Sequence, residues 1–174
     1  DRFELGFDAS MVKGITIEHL LDHRAGFDDI FIARYRENQL AFDTLDKKLQ
    51  LLIDHPLLFE PGSDYRYSNY GYIVLGAILE SVTDKAFEQL LQDHIFTPLK
   101  QSNSRFKVEP SDPHQSRRYE YRYDGSLRLV GVTEHPSPDG GIESTVTDVQ
   151  SFYRALFYSD VLLSRESEIN HQAF

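Results

Sequence analysis

The sequence contains neither cysteine nor tryptophan. Without cysteine the chain forms no disulfide framework and no thiolate metal site, and this absence does not identify a redox compartment. No apolar run reaches the roughly 20 residues of a membrane span, and no signal-peptide pattern opens the sequence. Because the first residue is Asp1 and lies in what reads as a loop, we expect both ends to be truncation points.

Basic residues are also scarce, with 18 Lys and Arg against 28 Asp and Glu, for a formal net charge of −10. Phosphate binding requires a basic footprint, so a nucleic-acid partner is not predicted. The basic and aromatic run from Arg117 to Arg122 is the closest candidate, but it lacks the consensus of RNA-binding strands. No motif indicates a cofactor.

The hydrophobic content of 40% in 174 residues is sufficient for the core of one domain. Thr16 is predicted to cap a first helix that runs to His23, with Ile17, Leu20 and Leu21 inward. Gly26 is predicted to supply the left-handed stop soon after the helix. A second helix is predicted from Asp43 to His55. Its buried positions are Leu45, Leu49, Leu52 and Ile53.

A third helix, from about Tyr70 to Val82, is apolar on nearly every side and is predicted to be the buried centre. Asp84 is predicted to cap a fourth helix that closes at Pro98. The inward stripe of this helix is Phe87, Leu90, Leu91 and Ile95.

Beyond Pro98 the pattern changes to alternating apolar and polar residues. Asp124-Gly125 lies between two alternating runs and predicts a β-hairpin, whose alternating residues are Tyr119, Tyr121, Tyr123, Leu127 and Leu129. A final helix is predicted from a capping box at Thr147, with Val149, Phe152 and Leu156 buried. The whole chain, 1–174, is interpreted as one partial domain. It comprises a helical part at about 14–100, a linker and hairpin at about 101–135, a loop and helix at about 136–160, and a tail at 161–174.

Four segments carry a resemblance when they are taken together and in order. They are Gly14–Phe27 (GITIEHLLDHRAGF), Glu60–Tyr72 (EPGSDYRYSNYGY), Ile95–Leu99 (IFTPL) and Gly140–Thr145 (GGIEST). This series resembles the family of class C β-lactamases, penicillin-binding proteins, D,D-peptidases and related esterases. The resemblance implies an α/β parent fold of the β-lactamase/transpeptidase type, of which this chain supplies mainly the helical domain with one β-hairpin.

Within that family, Tyr67 and Asn69 match the second catalytic motif, Tyr-x-Asn. The resemblance implies that Tyr67 relays a proton, that Asn69 holds the substrate, and that Ser68 is structural. A free phenol titrates near pH 10, so such a relay requires nearby cations or a hydrogen-bonded chain. The structural alternative is that Asn69 simply caps the apolar third helix.

The first motif of the family, Ser-x-x-Lys, has no convincing counterpart. Ser10–Lys13 leaves no room for a core helix, and Ser104–Lys107 lies in a polar stretch, so neither offers the base and oxyanion hole that a nucleophile requires. The third motif, Lys-Thr-Gly or His-x-Gly, is absent as well. We therefore expect acyl transfer on an amide or ester by a serine outside this chain, and an isolated fragment that is inactive.

Other departures from the family pattern leave the substrate open among β-lactams, peptidoglycan-type peptides, D-amino-acid peptides and esters. Asp84 and Lys100 stand where the family usually has glycine. The resemblance implies a periplasmic or extracytoplasmic location, although a cytoplasmic one stays open. The surface that faces the absent sheet is predicted to permit self-association.

Two alternatives come from other functional classes. One is a non-catalytic binding or structural module on the same scaffold. The other is a zinc-dependent hydrolase that uses His19 and His23, which are four residues apart on the first predicted helix, although no third ligand and no catalytic glutamate are indicated. The pair Asp28-Asp29 is interpreted as a solvated loop.

Overall fold

The structure is a computed structural model that describes residues 12–53, 55–106, 115–131 and 134–163. The chain divides into two compact units. The first comprises Asp1–Val82 with Lys107–Gly141, and the second comprises Thr83–Phe106 with Ile142–Phe174.

The described residues are mostly helical. Chain order gives helices α1 (Ile17–Leu21), α2 (Ala33–Glu37), α3 (Leu45–Leu49), α4 (Asn69–Thr83), α5 (Phe87–Leu91) and α6 (Val146–Tyr158). Strands β1 (Arg118–Tyr121) and β2 (Leu127–Val130) form a two-stranded antiparallel sheet. A 3-10 turn at Gln39–Ala41 and a π-helical turn at Gln92–Phe96 complete the elements. A mainly helical chain with one hairpin, as predicted from the sequence, is confirmed.

Helix α1 begins where the sequence predicted and ends earlier. The Thr16 hydroxyl accepts a hydrogen bond from His19 N at 3.1 Å, while His19 Nδ1 accepts one from Thr16 N at 3.4 Å. The predicted stop at Gly26 is wrong. The left-handed residue is His23 (φ 57°), and Arg24 N donates to His19 O at 2.7 Å, which closes the helix in a Schellman motif.

Only one of the three apolar residues predicted to point inward from α1 is buried. Leu20 is 2% exposed, whereas Ile17 and Leu21 are 49% and 41% exposed. A helix of five residues presents a single inward position to the core, so the inward prediction is wrong for Ile17 and Leu21.

Helix α3 is shorter than the predicted Asp43–His55. Thr44 caps it by accepting from Lys47 N at 3.3 Å, and the helix ends at Leu49. The chain then turns, and Leu52 is buried in that turn. The apolar spacing therefore identified Leu49 and Leu52 as buried correctly, whereas Leu45 and Ile53 are only half-buried and the length of the helix was overestimated.

Helix α4 is the centre of the first unit, as predicted. Its buried residues include Tyr70 and Ile73, neither of which exposes any surface. The Tyr70 hydroxyl donates to Leu49 O at 2.5 Å, and burial raises the pKa of this phenol. The core cluster comprises Leu20, Ala25, Phe27, Ile30, Tyr35, Leu49, Leu51, Leu52, Tyr70, Ile73, Val74 and Ala77.

A buried lysine fixes the loop that carries the predicted Gly140-Gly141 segment. Lys48, 2% exposed, donates from Nζ to His135 O at 2.9 Å and to Ser137 Oγ at 2.6 Å. Ser137 in turn donates to the Asp139 carboxylate. Burial lowers the pKa of Lys48 and raises the pKa of Asp139, while their opposite charges partly offset both shifts.

The hairpin confirms the Asp124-Gly125 signal. Tyr119 pairs with Leu129 and Tyr121 with Leu127, which places these four side chains on one face. Gly125 adopts φ 80° and donates from its N–H to Arg122 O at 2.9 Å, so the connection is a three-residue loop rather than a two-residue turn.

In the second unit, the predicted cap of α5 is wrong. Asp84 adopts a left-handed conformation (φ 56°) instead, and Ala86 is the N-cap residue. The same conformation recurs at Lys100 (φ 55°), where Gln101 N donates to Phe96 O at 2.8 Å. Both sites are those at which the family pattern has glycine, which adopts this conformation without a Cβ penalty.

Helix α6 begins two residues before the predicted capping box. Thr145, rather than Thr147, accepts from Asp148 N at 3.3 Å. The predicted buried face of α6 is confirmed only in part, because Phe152 and Leu156 are half-buried. Val149 is 42% exposed and Ala155 is buried, so the burial prediction for Val149 is wrong.

Candidate active site

The segment before α4 is held alongside the end of α1 by backbone hydrogen bonds. Leu58 N donates to Gly26 O and Gly62 N to Arg24 O, both at 2.8 Å. Further along, Arg66 N donates to His23 O at 3.0 Å. These bonds place the next residue, Tyr67, at the surface beside His23.

Tyr67 and Asn69 project side by side from the start of α4. The Tyr67 hydroxyl donates to Asn69 Oδ1 at 3.2 Å; Tyr67 is 56% exposed and Asn69 is half-buried. Ser68 between them points inward and is 3% exposed. Its hydroxyl donates to Asp28 O at 2.9 Å and accepts from Gly71 N at 3.3 Å, so Ser68, not Asn69, caps the helix.

Two acidic residues lie on the other side of Asn69. Its Nδ2 is 3.1 Å from both carboxylate oxygens of Asp29. Asp29 N donates to Asp28 Oδ1 at 2.8 Å, and that oxygen lies 3.3 Å from Arg66 Nη2. The interpretation of Asp28-Asp29 as a solvated loop is therefore wrong, because both side chains bond to the segment that carries the motif.

His23 supports the ring of Tyr67. Their ring centroids are 4.4 Å apart, and Tyr72 lies at 5.2 Å from the same imidazole. The Nδ1 atom of His23 accepts from Ser68 N at 3.3 Å. A left-handed backbone costs a non-glycine residue about 1–2 kcal/mol, and these contacts offset that cost.

The geometry required by the zinc alternative is absent. His23 lies beyond the end of α1, so it does not share a helix face with His19, and the Nδ1 of each imidazole accepts a backbone N–H. Among the described residues, no group of three His, Cys, Asp or Glu side chains is arranged to hold a metal ion.

The two Ser-x-x-Lys strings are described only in part. Ser10 and Lys107 lie outside the described residues. Ser104 Oγ lies 2.7 Å from Ser144 Oγ and donates to Asp148 Oδ2 at 2.9 Å. This hydroxyl therefore anchors the start of α6 in the second unit.

Comparison with known proteins identifies the family. The profile of the family described as Beta-lactamase matches residues 6–172. The chain belongs to the beta-lactamase family. In the part of the chain that the structure describes, no helix has both the length and the apolar character to cross a membrane.

Among proteins of the beta-lactamase family, the chain is 25% identical to Penicillin-binding protein 4* of Bacillus subtilis (strain 168), over 97% of this chain and 40% of that protein. It is 26% identical to a penicillin-binding protein of Bacillus halodurans, with a TM-score of 0.80 over 94% of this chain and 52% of that one. The D-amino acid amidase of Ochrobactrum anthropi SV3, in complex with L-phenylalanine amide, is 26% identical with a TM-score of 0.71 over 87% of this chain and 45% of that one. The chain thus spans about half or less of the length of these relatives, and it shares the β-lactamase/transpeptidase fold.

Proposed function

We propose that this chain is the Tyr-x-Asn part of a serine hydrolase that transfers the acyl group of an amide or ester. In this proposal Tyr67 relays a proton and Asn69 orients the substrate. The observation that carries it is the pairing of an exposed Tyr67 with a half-buried Asn69, with Tyr67 Oη 3.2 Å from Asn69 Oδ1 and the intervening Ser68 turned into the core.

The chemistry of the pair suits acyl transfer. A hydroxyl both donates and accepts hydrogen bonds. Tyr67 can therefore accept a proton from one group and pass its own proton to a second group within a hydrogen-bonded chain. The carbonyl oxygen of Asn69 has a second lone pair, which can accept from a substrate N–H or from a lysine ammonium. Tyr67 is exposed and Asn69 is half-buried, so neither residue is enclosed in the core.

The proposal includes a serine nucleophile from outside this chain. In support, Ser104 is hydrogen-bonded to a carboxylate and a hydroxyl, and the chain corresponds to 40% of the length of Penicillin-binding protein 4*. The D-amino acid amidase among the relatives makes amides of D-amino acids one substrate class to test. Self-association stays a prediction, which light scattering on the purified chain would test.

The test compares this chain with the protein encoded by the whole reading frame that contains it. Each is assayed with nitrocefin, p-nitrophenyl acetate and a D-amino acid amide. We expect turnover of at least one substrate by the longer protein and of none by the chain alone. Turnover by the chain that is lost in Ser10→Ala would refute the external nucleophile, and an inactive longer protein would favour the non-catalytic module.

A further inference from the structure

The orientation of the Asn69 side chain is determined by its neighbours. The oxygen and nitrogen of a carboxamide have nearly the same shape, so only their hydrogen-bond partners distinguish the two ends. An ionised carboxylate accepts hydrogen bonds and donates none. Both oxygens of Asp29 lie 3.1 Å from Asn69 Nδ2, which requires the NH₂ end of the amide to face Asp29.

We propose that Asp29 is a positioning residue that fixes the Asn69 amide with its carbonyl oxygen toward Tyr67. This inference rests on the proposed function, because it explains how the Tyr67–Asn69 pair is prepared for its role. With this orientation Tyr67 donates to Asn69 Oδ1. The opposite orientation would direct Nδ2 at the phenol, so Tyr67 would accept from Asn69 and its own proton would need another acceptor.

The backbone around Asp29 is anchored on both sides, which makes this carboxylate a stable reference for Asn69. Ile30, the next residue, is completely buried, and Phe27 is 5% exposed. The Asp28 carbonyl oxygen accepts from Ser68 Oγ at 2.9 Å, and its side chain accepts from Asp29 N at 2.8 Å. The loop is thus hydrogen-bonded to the start of α4 in two places. The Asp28 carbonyl oxygen bonds to Ser68, and the Asp29 side chain bonds to Asn69.

The side-chain NH₂ resonances of Asn69 report this contact directly. In the unaltered chain their chemical shifts reflect an NH₂ group that faces both oxygens of Asp29, and they should change when Asp29 no longer supplies these acceptors. The matched control is Asp28→Asn, which removes the neighbouring charge and keeps an oxygen that accepts from Asp29 N and Arg66. The chemical shifts should stay close to those of the unaltered chain in Asp28→Asn, change in Asp29→Asn, and change most in Asp29→Leu, which removes both acceptor oxygens.

A second comparison separates hydrogen bonding from charge. An asparagine at position 29 keeps one oxygen that accepts from Asn69, whereas a leucine keeps none. In the longer protein, kcat should therefore follow the order unaltered, then Asp29→Asn, then Asp29→Leu, with a loss of roughly 10- to 100-fold for leucine, as is typical when an orienting partner is removed. If only the charge of Asp29 mattered, Asp29→Asn and Asp29→Leu would lower kcat equally. Equal losses would overturn the proposal.

The two measurements fail independently of each other. Asn69 resonances that are the same in Asp29→Leu as in the unaltered chain overturn the role of Asp29, whatever the activity. Resonances that follow Asp29 in a longer protein without acyl-transfer activity support the positioning role and refute the proposed function.

Discussion

The imidazole of His23 packs against the phenol of Tyr67, with 4.4 Å between ring centroids and 40° between the ring planes, and the backbone of His23 is left-handed (φ 57°). At the equivalent position of most Schellman motifs, glycine avoids this conformational cost. His23 instead contacts the ring that the proposed chemistry uses and accepts from Ser68 N, and these contacts offset the cost of its backbone conformation.

Two substitutions separate the contacts of His23 from its backbone strain. His23→Ala loses the ring contact, worth about 0.5–1.5 kcal/mol, and one hydrogen bond, worth about 1 kcal/mol, while it keeps the strain. His23→Gly loses the same contacts and relieves about 1 kcal/mol of strain. Urea denaturation should therefore rank the free energy of unfolding as unaltered, then glycine, then alanine. Equal stabilities of the alanine variant and the unaltered chain would show that the contacts of the imidazole are not stabilising.

Gly76 of α4 allows the loop that contains Pro138 to lie against the helix. A Cβ built at Gly76 would lie 2.0 Å from Pro138 Cγ, whereas one built at Gly71 of the same helix meets nothing closer than 3.6 Å. Gly76→Ala should lower the free energy of unfolding by about 1–3 kcal/mol through overpacking. Gly71→Ala is the control, and it should be neutral or stabilising because alanine is the better helix former. Thermal unfolding of both variants checks this, and similar effects would contradict the close packing.

Lys100 should be replaceable by glycine with a gain in stability. Its left-handed conformation (φ 55°) carries a Cβ penalty of about 1–2 kcal/mol, part of which is offset by the greater flexibility of glycine in the unfolded chain. Lys100→Gly should raise the free energy of unfolding by about 0.5–1 kcal/mol. Lys100→Ala removes the same charge but keeps the Cβ penalty, so it should not raise the free energy of unfolding. If alanine also raised it, the effect would come from the lost charge.

Asp139 should make stability depend on pH. Burial raises its pKa above the ordinary value of 3.8, so the folded state binds a proton more tightly than the unfolded state. The contribution of Asp139 to the free energy of unfolding is therefore fully present below about pH 4. It is lost as pH rises through the pKa of Asp139 in the folded state. Between about pH 4 and pH 7, the stability of the unaltered chain should fall relative to that of Asp139→Asn. A constant difference across this range, measured by urea denaturation, would contradict the shift.

The sequence predicted most reliably the features that depend on neighbouring residues. The apolar run of α4 gave its bounds within one residue of Asn69–Thr83, and Asp124-Gly125 located the hairpin. Local signals were ambiguous where two residues of one type compete. Thr145 and Thr147 both suit an N-cap, and only the structure shows which one accepts the hydrogen bond from Asp148 N.

Contacts between residues far apart in the chain could not be predicted from the sequence. Asp29 and Asn69 are 40 positions apart, and no periodicity or capping signal connects them. The same holds for Lys48, which is buried and whose partner Ser137 lies 89 positions away. The motif residues Tyr67 and Asn69 came from the resemblance to the family, whereas the residues that hold them required the structure.

The most direct measurement is the kcat for p-nitrophenyl acetate of the protein encoded by the whole reading frame, with and without Tyr67→Phe. Loss of a hydroxyl that relays protons should lower kcat by roughly 10²- to 10⁴-fold. Because Tyr67 is 56% exposed, the substitution should leave the free energy of unfolding nearly unchanged. A phenylalanine variant that is as active as the unaltered protein would contradict the assignment of Tyr67 to the chemistry.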